Sequence, residues 1–113
     1  MVLFRVLMLP MPGYRDKVIQ SLARVVGPTH AVTGCISCRL YQELENDDGL
    51  LVVMEWRDEQ SLVDYLQGEE VRIILSALEY SRDQPQVLFD TVTDSKGIEF
   101  IADCRMDPDF ARE

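Results

Sequence analysis

Apolar residues along this chain recur with two periods, and the changes of period divide it into elements. Val2 to Leu9 is apolar apart from Arg5, a short run that suits a central strand covered on both faces. Pro10, Pro12 and Gly13 end it. From Tyr14 the period lengthens: Tyr14, Val18, Leu22 and Val25/Val26 share one side, with Arg15, Asp16, Lys17, Gln20 and Arg24 mostly opposite. That spacing predicts an amphipathic helix closed by Gly27-Pro28, with Thr29 to Thr33 as a loop beyond it.

Gly34 to Trp56 then reads as a β-hairpin. Its first run holds Ile36, Leu40 and Tyr41, and its second holds Leu50 to Met54. Asn46, Asp47, Asp48 and Gly49 between them accept the backbone angles of a turn. Asp58 is placed to cap a second helical region whose apolar side is Leu62, Val63, Tyr65 and Leu66. Gly68 interrupts it, Val71, Ile74, Leu75 and Leu78 resume it, and Asp83-Gln84-Pro85 stops it. Gln86 to Val92 predicts a fourth strand. Ile98, Phe100 and Ala102, alternating with Glu99, Ile101 and Asp103, predict a fifth at the C-terminus. Residues 1–105 are expected to form one domain and 106–113 a polar tail.

The order β-α-β-β-α-β with an extra C-terminal strand predicts the α+β class: a ferredoxin-like antiparallel sheet with both helices on one face. Val2, Phe4, Val6 and Met8 then point one way with Leu50, Val52, Met54 and Trp56. On strand two, Ile36, Cys38 and Leu40 are expected to join them. The other face mixes leucines and valines with Arg5, Arg39, Glu55 and Asp90. It is too apolar to be left in water and carries both charge signs, so a homodimer that buries it is expected.

Charge narrows the partners. With 20 acids against 11 bases the net charge is −9, which repels nucleic-acid phosphates and anionic membrane surfaces. The apolar start is broken by Arg5 and preceded by no basic segment, unlike a secretory signal, so the expected setting is cytoplasmic. Cys35, Cys38 and Cys104 make an odd count, against a disulfide-stapled secreted domain. Cys35 and Cys38 spell C-x-x-C, but in a regular strand residues three apart point to opposite faces, against a redox or metal pair. No metal site and no glycine-rich nucleotide loop is expected, and so no cofactor.

Pro28, Thr29, Gly34, Cys35, Tyr41, Glu55, Trp56, Asp58 and Leu62, with Phe89-Asp90-Thr91-Val92 and Gly97-Ile98-Glu99 near the end, form a recurrent pattern. In these residues the sequence resembles the antibiotic biosynthesis monooxygenase superfamily of dimeric α/β barrels, over roughly residues 2–103. The resemblance implies a cofactor-independent monooxygenase acting with O2 on a quinol-like or polycyclic aromatic, whose own anion supplies the electrons. It equally admits a non-catalytic dimeric binding or stress-associated barrel. Haem-degrading members carry an axial histidine and a strand-one asparagine where Ser76 and Leu7 or Met8 stand here, which counts against haem chemistry.

Candidate site residues follow. Trp56, Phe4, Met8 and Met54 could wall an aromatic pocket between sheet and helices, or simply fill a core. Tyr65 stands about where many members carry a histidine, and its hydroxyl could orient a substrate oxygen. His30, the single histidine, is the first candidate for a general base because its unperturbed pKa lies near neutrality. A closed apolar pocket beside Trp56, Tyr65 and strand one would favour the enzyme, and a solid core there the binding barrel.

Overall fold

The structure, a computed structural model, describes residues 1–45 and 48–106; turn residues Asn46 and Asp47 and tail residues 107–113 lie outside the described residues. The chain runs β1 (Val2–Met8), α1 (Arg15–His30), β2 (Cys35–Gln42), β3 (Leu50–Trp56), α2 (Glu59–Leu66), α3 (Val71–Leu78), β4 (Gln86–Thr91) and α4 (Glu99–Met106). The four strands lie in the order β2-β3-β1-β4, each neighbouring pair antiparallel. This is the ferredoxin-like sheet that the element order predicts. Among the described residues no helix is long and apolar enough to cross a membrane.

Alternation builds the core. Val2, Phe4, Val6 and Met8 of β1 and Leu50, Val52, Met54 and Trp56 of β3 are all buried, beneath Val18, Leu22 and Val25 of α1 and Leu62, Tyr65, Val71, Ile74 and Ala77 of α2 and α3. Asp58 caps α2 as expected, its carboxylate accepting from the Ser61 amide at 2.8 Å. Gly68 lies in the break between α2 and α3.

Two elements differ from expectation. Helix α1 does not close at Gly27-Pro28 but continues through Pro28 to His30, so His30 is helical rather than in a loop. The clash that normally drives a residue before proline out of the helical region involves its Cβ, which Gly27 lacks. The added turn is held by Ala31 N–H to the Pro28 carbonyl (3.2 Å), Val32 N–H to the Thr29 carbonyl (3.0 Å), and a fully buried Thr29. At the C-terminus, the expected fifth strand is instead helix α4. Ile101 already broke the strand alternation, and Phe100, Ile101 and Cys104 also satisfy helical spacing. A helix meets its backbone hydrogen bonds internally and needs no sheet edge.

The sheet face away from the helices is open in this chain. Leu3, Leu7, Leu51 and Val53 are half-buried there, and Tyr41 and Leu88 exposed. Arg5 donates to the Asp90 carboxylate on β4. Arg39 and Glu55 line a shallow depression of ≈ 280 Å³ on this face with Ile36, Ser37, Tyr41 and Val53.

Candidate active site

Strand β2 is not regular. Cys35 pairs with Trp56, Ser37 with Glu55 and Cys38 with Met54, so two residues of β2 are spanned where β3 advances one, and Ile36 is the extra residue of a β-bulge. The bulge overturns the expected facing. Cys35 and Cys38 both lie on the helix side, opposite core-facing Trp56 and Met54, and Ile36 is turned out to the open face, 52% exposed. A period-2 reading could not foresee this, because it assumes that no residue is skipped.

On the helix side, Thr29 Oγ1 lies 3.1 Å from Tyr65 Oη, and the same hydroxyl bonds the Cys38 thiol. The Tyr65 ring in turn packs at 4.9 Å from the Trp56 ring. Burial pushes the Tyr65 phenol up to about 12, with the Thr29 hydrogen bond drawing it back. Burial likewise pushes Cys38 up to about 11, with the neighbouring Cys35 adding to the rise, and raises Cys35. At neutral pH these are a phenol and two thiols, neutral hydrogen-bonding groups rather than nucleophiles. All three cysteines are free, and among the described residues no group of three or more His, Cys, Asp or Glu side chains could hold a metal ion.

The structure therefore brings Tyr65 and Trp56 together and leaves His30 apart from them, exposed on the last turn of α1 beside Thr29. Phe4, Met8, Met54 and Trp56 belong to one continuous packed cluster. The indole N–H of Trp56 is buried within it without a hydrogen-bond partner. The region that the sequence offered as a pocket is filled by side chains.

Space opens one helical turn further out. A groove of ≈ 330 Å³ runs between α2 and the β1–β4 edge of the sheet, on the helix side. Val2, Phe89 and Thr91 form its floor, Leu62, Val63 and Leu66 its wall, and Glu59 stands at its rim. Register places Phe89 opposite Phe4, and the two rings stack at 4.7 Å with planes 8° apart. Phe4 is sealed beneath, whereas Phe89 is 51% exposed, an aromatic shelf presented to the groove. Glu59 lies one turn before Leu62 and Val63, so its carboxylate faces the same side of α2.

Sequence reasoning assigned Phe89, Leu62 and Val63 to a strand and a helix without giving them a site, and passed over Glu59. One signal was present. Leu62, Val63, Tyr65 and Leu66 make an apolar arc wider than one packing stripe requires, so part of it had to face something other than the core.

The sequence pattern of a family described as antibiotic biosynthesis monooxygenase matches residues 1–74. No curated protein matches the chain. Among solved structures, Rv0793 from Mycobacterium tuberculosis superposes with a TM-score of 0.76 at 20% identity, over 85% of this chain and 98% of its own. A candidate antibiotic biosynthesis monooxygenase from Deinococcus radiodurans does so with 0.79 at 15% identity, over 87% and 98%. A conserved protein from Methanosarcina mazei Go1 gives 0.73 at 22%, over 79% and 89%. At these identities the structural likeness is one of fold.

Proposed function

The chain belongs to the antibiotic biosynthesis monooxygenase family, and we propose that it oxidises a quinol-like or polycyclic aromatic with O2, without a cofactor, in the groove between α2 and β4. The observation that carries this reading is the exposed Phe89 shelf, stacked on Phe4 and rimmed by a carboxylate, in a groove large enough for a small ligand.

A flat aromatic would stack on Phe89 against Leu62, Val63 and Leu66, with its hydroxyl toward Glu59. The Glu59 carboxylate at the rim is then the polar group placed to accept the proton of that hydroxyl. The resulting substrate anion gives up the electrons. For an anthrone-like substrate, CH2 and O2 become C=O and H2O, a balance that needs no external reductant. The protein supplies orientation, exclusion of water and the place for the proton. Tyr65 and Trp56 support the groove from behind in this reading, and His30 takes no part.

The apolar open face of the sheet supports a homodimer in which a second copy covers Leu3, Leu7, Leu51 and Val53 and the Arg5–Asp90 pair. Three free thiols suit a reducing, cytoplasmic setting.

O2 uptake with a reduced naphthoquinone, measured above its autoxidation, tests the proposal. Glu59→Gln should lower turnover more than binding, and Phe89→Ala should weaken binding. The packed core around Trp56 and Tyr65 favours the second reading, a non-catalytic binding barrel. Uptake that never exceeds autoxidation across a panel of quinols, while aromatics still bind in a Phe89-dependent way, would establish that second reading.

A further inference from the structure

The two edges of the sheet are treated differently. At one edge, β2 is interrupted by the bulge at Ile36 and carries Arg39. At the other, β4 runs in unbroken register beside β1 and reads QVLFDT, rich in residues that favour strands. Among the described residues no strand pairs with its outer side, and Val87, Leu88 and Phe89 are exposed. Register shows which backbone groups are left over. The Val92 amide donates to the Met1 carbonyl at 2.8 Å, so bonding to β1 falls on Val92 and, by alternation, on Asp90, Leu88 and Gln86. Val87, Phe89 and Thr91 therefore aim their N–H and C=O groups away from the sheet. From this arrangement we infer that the β4 edge receives a second copy of this chain, joined β4 to β4 about a two-fold axis at Phe89.

The strand is self-complementary in that register. Antiparallel pairing must match outward-bonding residues with one another, which sets Phe89 opposite Phe89, Val87 opposite Thr91 and Leu88 opposite Asp90. Moving the axis to Leu88 would set Pro85, which has no N–H, opposite Thr91. Moving it to Asp90 would set two carboxylates face to face. With the axis at Phe89, Asp90 is the one charge on the strand, faces Leu88 and keeps Arg5 as its partner. Phe4 and Phe89 already stack across β1 and β4, and the axis extends them into a row with their copies, which covers the exposed Phe89 ring. The floor of the α2–β4 groove then continues onto the second copy, whose Val87 lies beside Thr91 and whose Phe89 lies beside Phe89. A strand edge is a smaller contact than the open sheet face, so this pairing needs the higher concentration. It depends on β4 alone and stands whether or not the chain is a monooxygenase.

The test takes the protein from about 10 µM to about 1 mM, the range in which small interfaces form. Sedimentation should show a further association step toward the top of that range. Hydrogen exchange should slow several-fold over it at the amides of Val87, Phe89 and Thr91, while those of Leu88 and Asp90, bonded to β1, stay equally protected throughout. In a mixture of isotopically labelled and unlabelled chains, intermolecular NOEs should join the Leu88 Hα to the Asp90 Hα of the other copy. Val87→Pro removes an outward N–H that β1 does not use, and Phe89→Lys sets two ammonium groups opposite each other. Each should weaken the step by about tenfold or more. Exchange at Val87, Phe89 and Thr91 that ignores concentration would overturn the inference. So would a step untouched by both variants, or intermolecular contacts to β4 from residues 92–106, which would give the edge to the C-terminal segment instead.

Discussion

Thr29→Val is the most informative single change in the core. Valine keeps the shape of threonine and removes the hydroxyl shared by Tyr65 and Cys38. Tyr65 is 3% exposed, so its phenol is left without a partner and without access to water. An orphaned buried polar group costs ~1–3 kcal/mol. For a chain of 113 residues each kcal/mol lowers Tm by about 4 °C. Tyr65→Phe removes the other partner, but Thr29 keeps Cys38, so that change should cost less, ~1 kcal/mol. In the double variant no phenol remains to be stranded, and its stability should lie close to that of Tyr65→Phe alone. The coupling between the two sites is then about 1 kcal/mol or more. Urea denaturation followed by the fluorescence of the one tryptophan, Trp56, together with circular dichroism, measures all four proteins. Strict additivity of the two single effects would show that the hydroxyls do not depend on each other, and would refute the network.

The same network has an alkaline signature. Tyr65 is raised to about 12 in the folded chain, so the unfolded chain releases its proton first. Its contribution is intact below about pH 10, declines as pH rises toward the folded value, and should be smaller in Tyr65→Phe, with Cys38, raised to about 11, supplying part of what remains. Gly34→Ala should destabilise strongly, because Gly34 holds φ at +90° and an added Cβ would collide with the Ser61 side chain. A thermal melt in which Gly34→Ala matches the parent would contradict that contact. Sedimentation at micromolar concentration should show a homodimer, weakened by Arg5→Leu, which leaves Asp90 unpaired on the covered face. A folded monomer of the parent chain would remove the sheet-face argument.

Much of this architecture is legible from side-chain periodicity alone. The helix face of β1 and β3, the Asp58 cap and the break at Gly68 follow from alternation, capping chemistry and backbone freedom, which act over a few residues. What stayed illegible depends on contacts distant in sequence. Helix α1 outruns Gly27-Pro28 where Thr29 is sealed against Tyr65, 36 residues away. The segment after Gly97 satisfies two periods at once, and the choice between them rests on whether a sheet edge lies alongside. The candidate site shows the same division. Trp56, Tyr65 and Phe4 are prominent as residues but fill the core, and the groove beside them arises from Phe89 on an edge strand that α2 does not cover.

The bulge at Ile36 makes β2 a strand with a phase slip. Residues before it and after it obey opposite parity, so two cysteines three positions apart behave as next-nearest neighbours on one surface. Deleting Ile36 would let β2 advance one residue where β3 advances one, so Cys35, Ser37 and Cys38 would keep Trp56, Glu55 and Met54 as partners in an unbroken alternation. The inserted residue thus leaves both ends of the strand in register, with Gly34 still accepting the Arg57 amide at 2.8 Å, and its one product is an extra apolar side chain on the open face of the sheet.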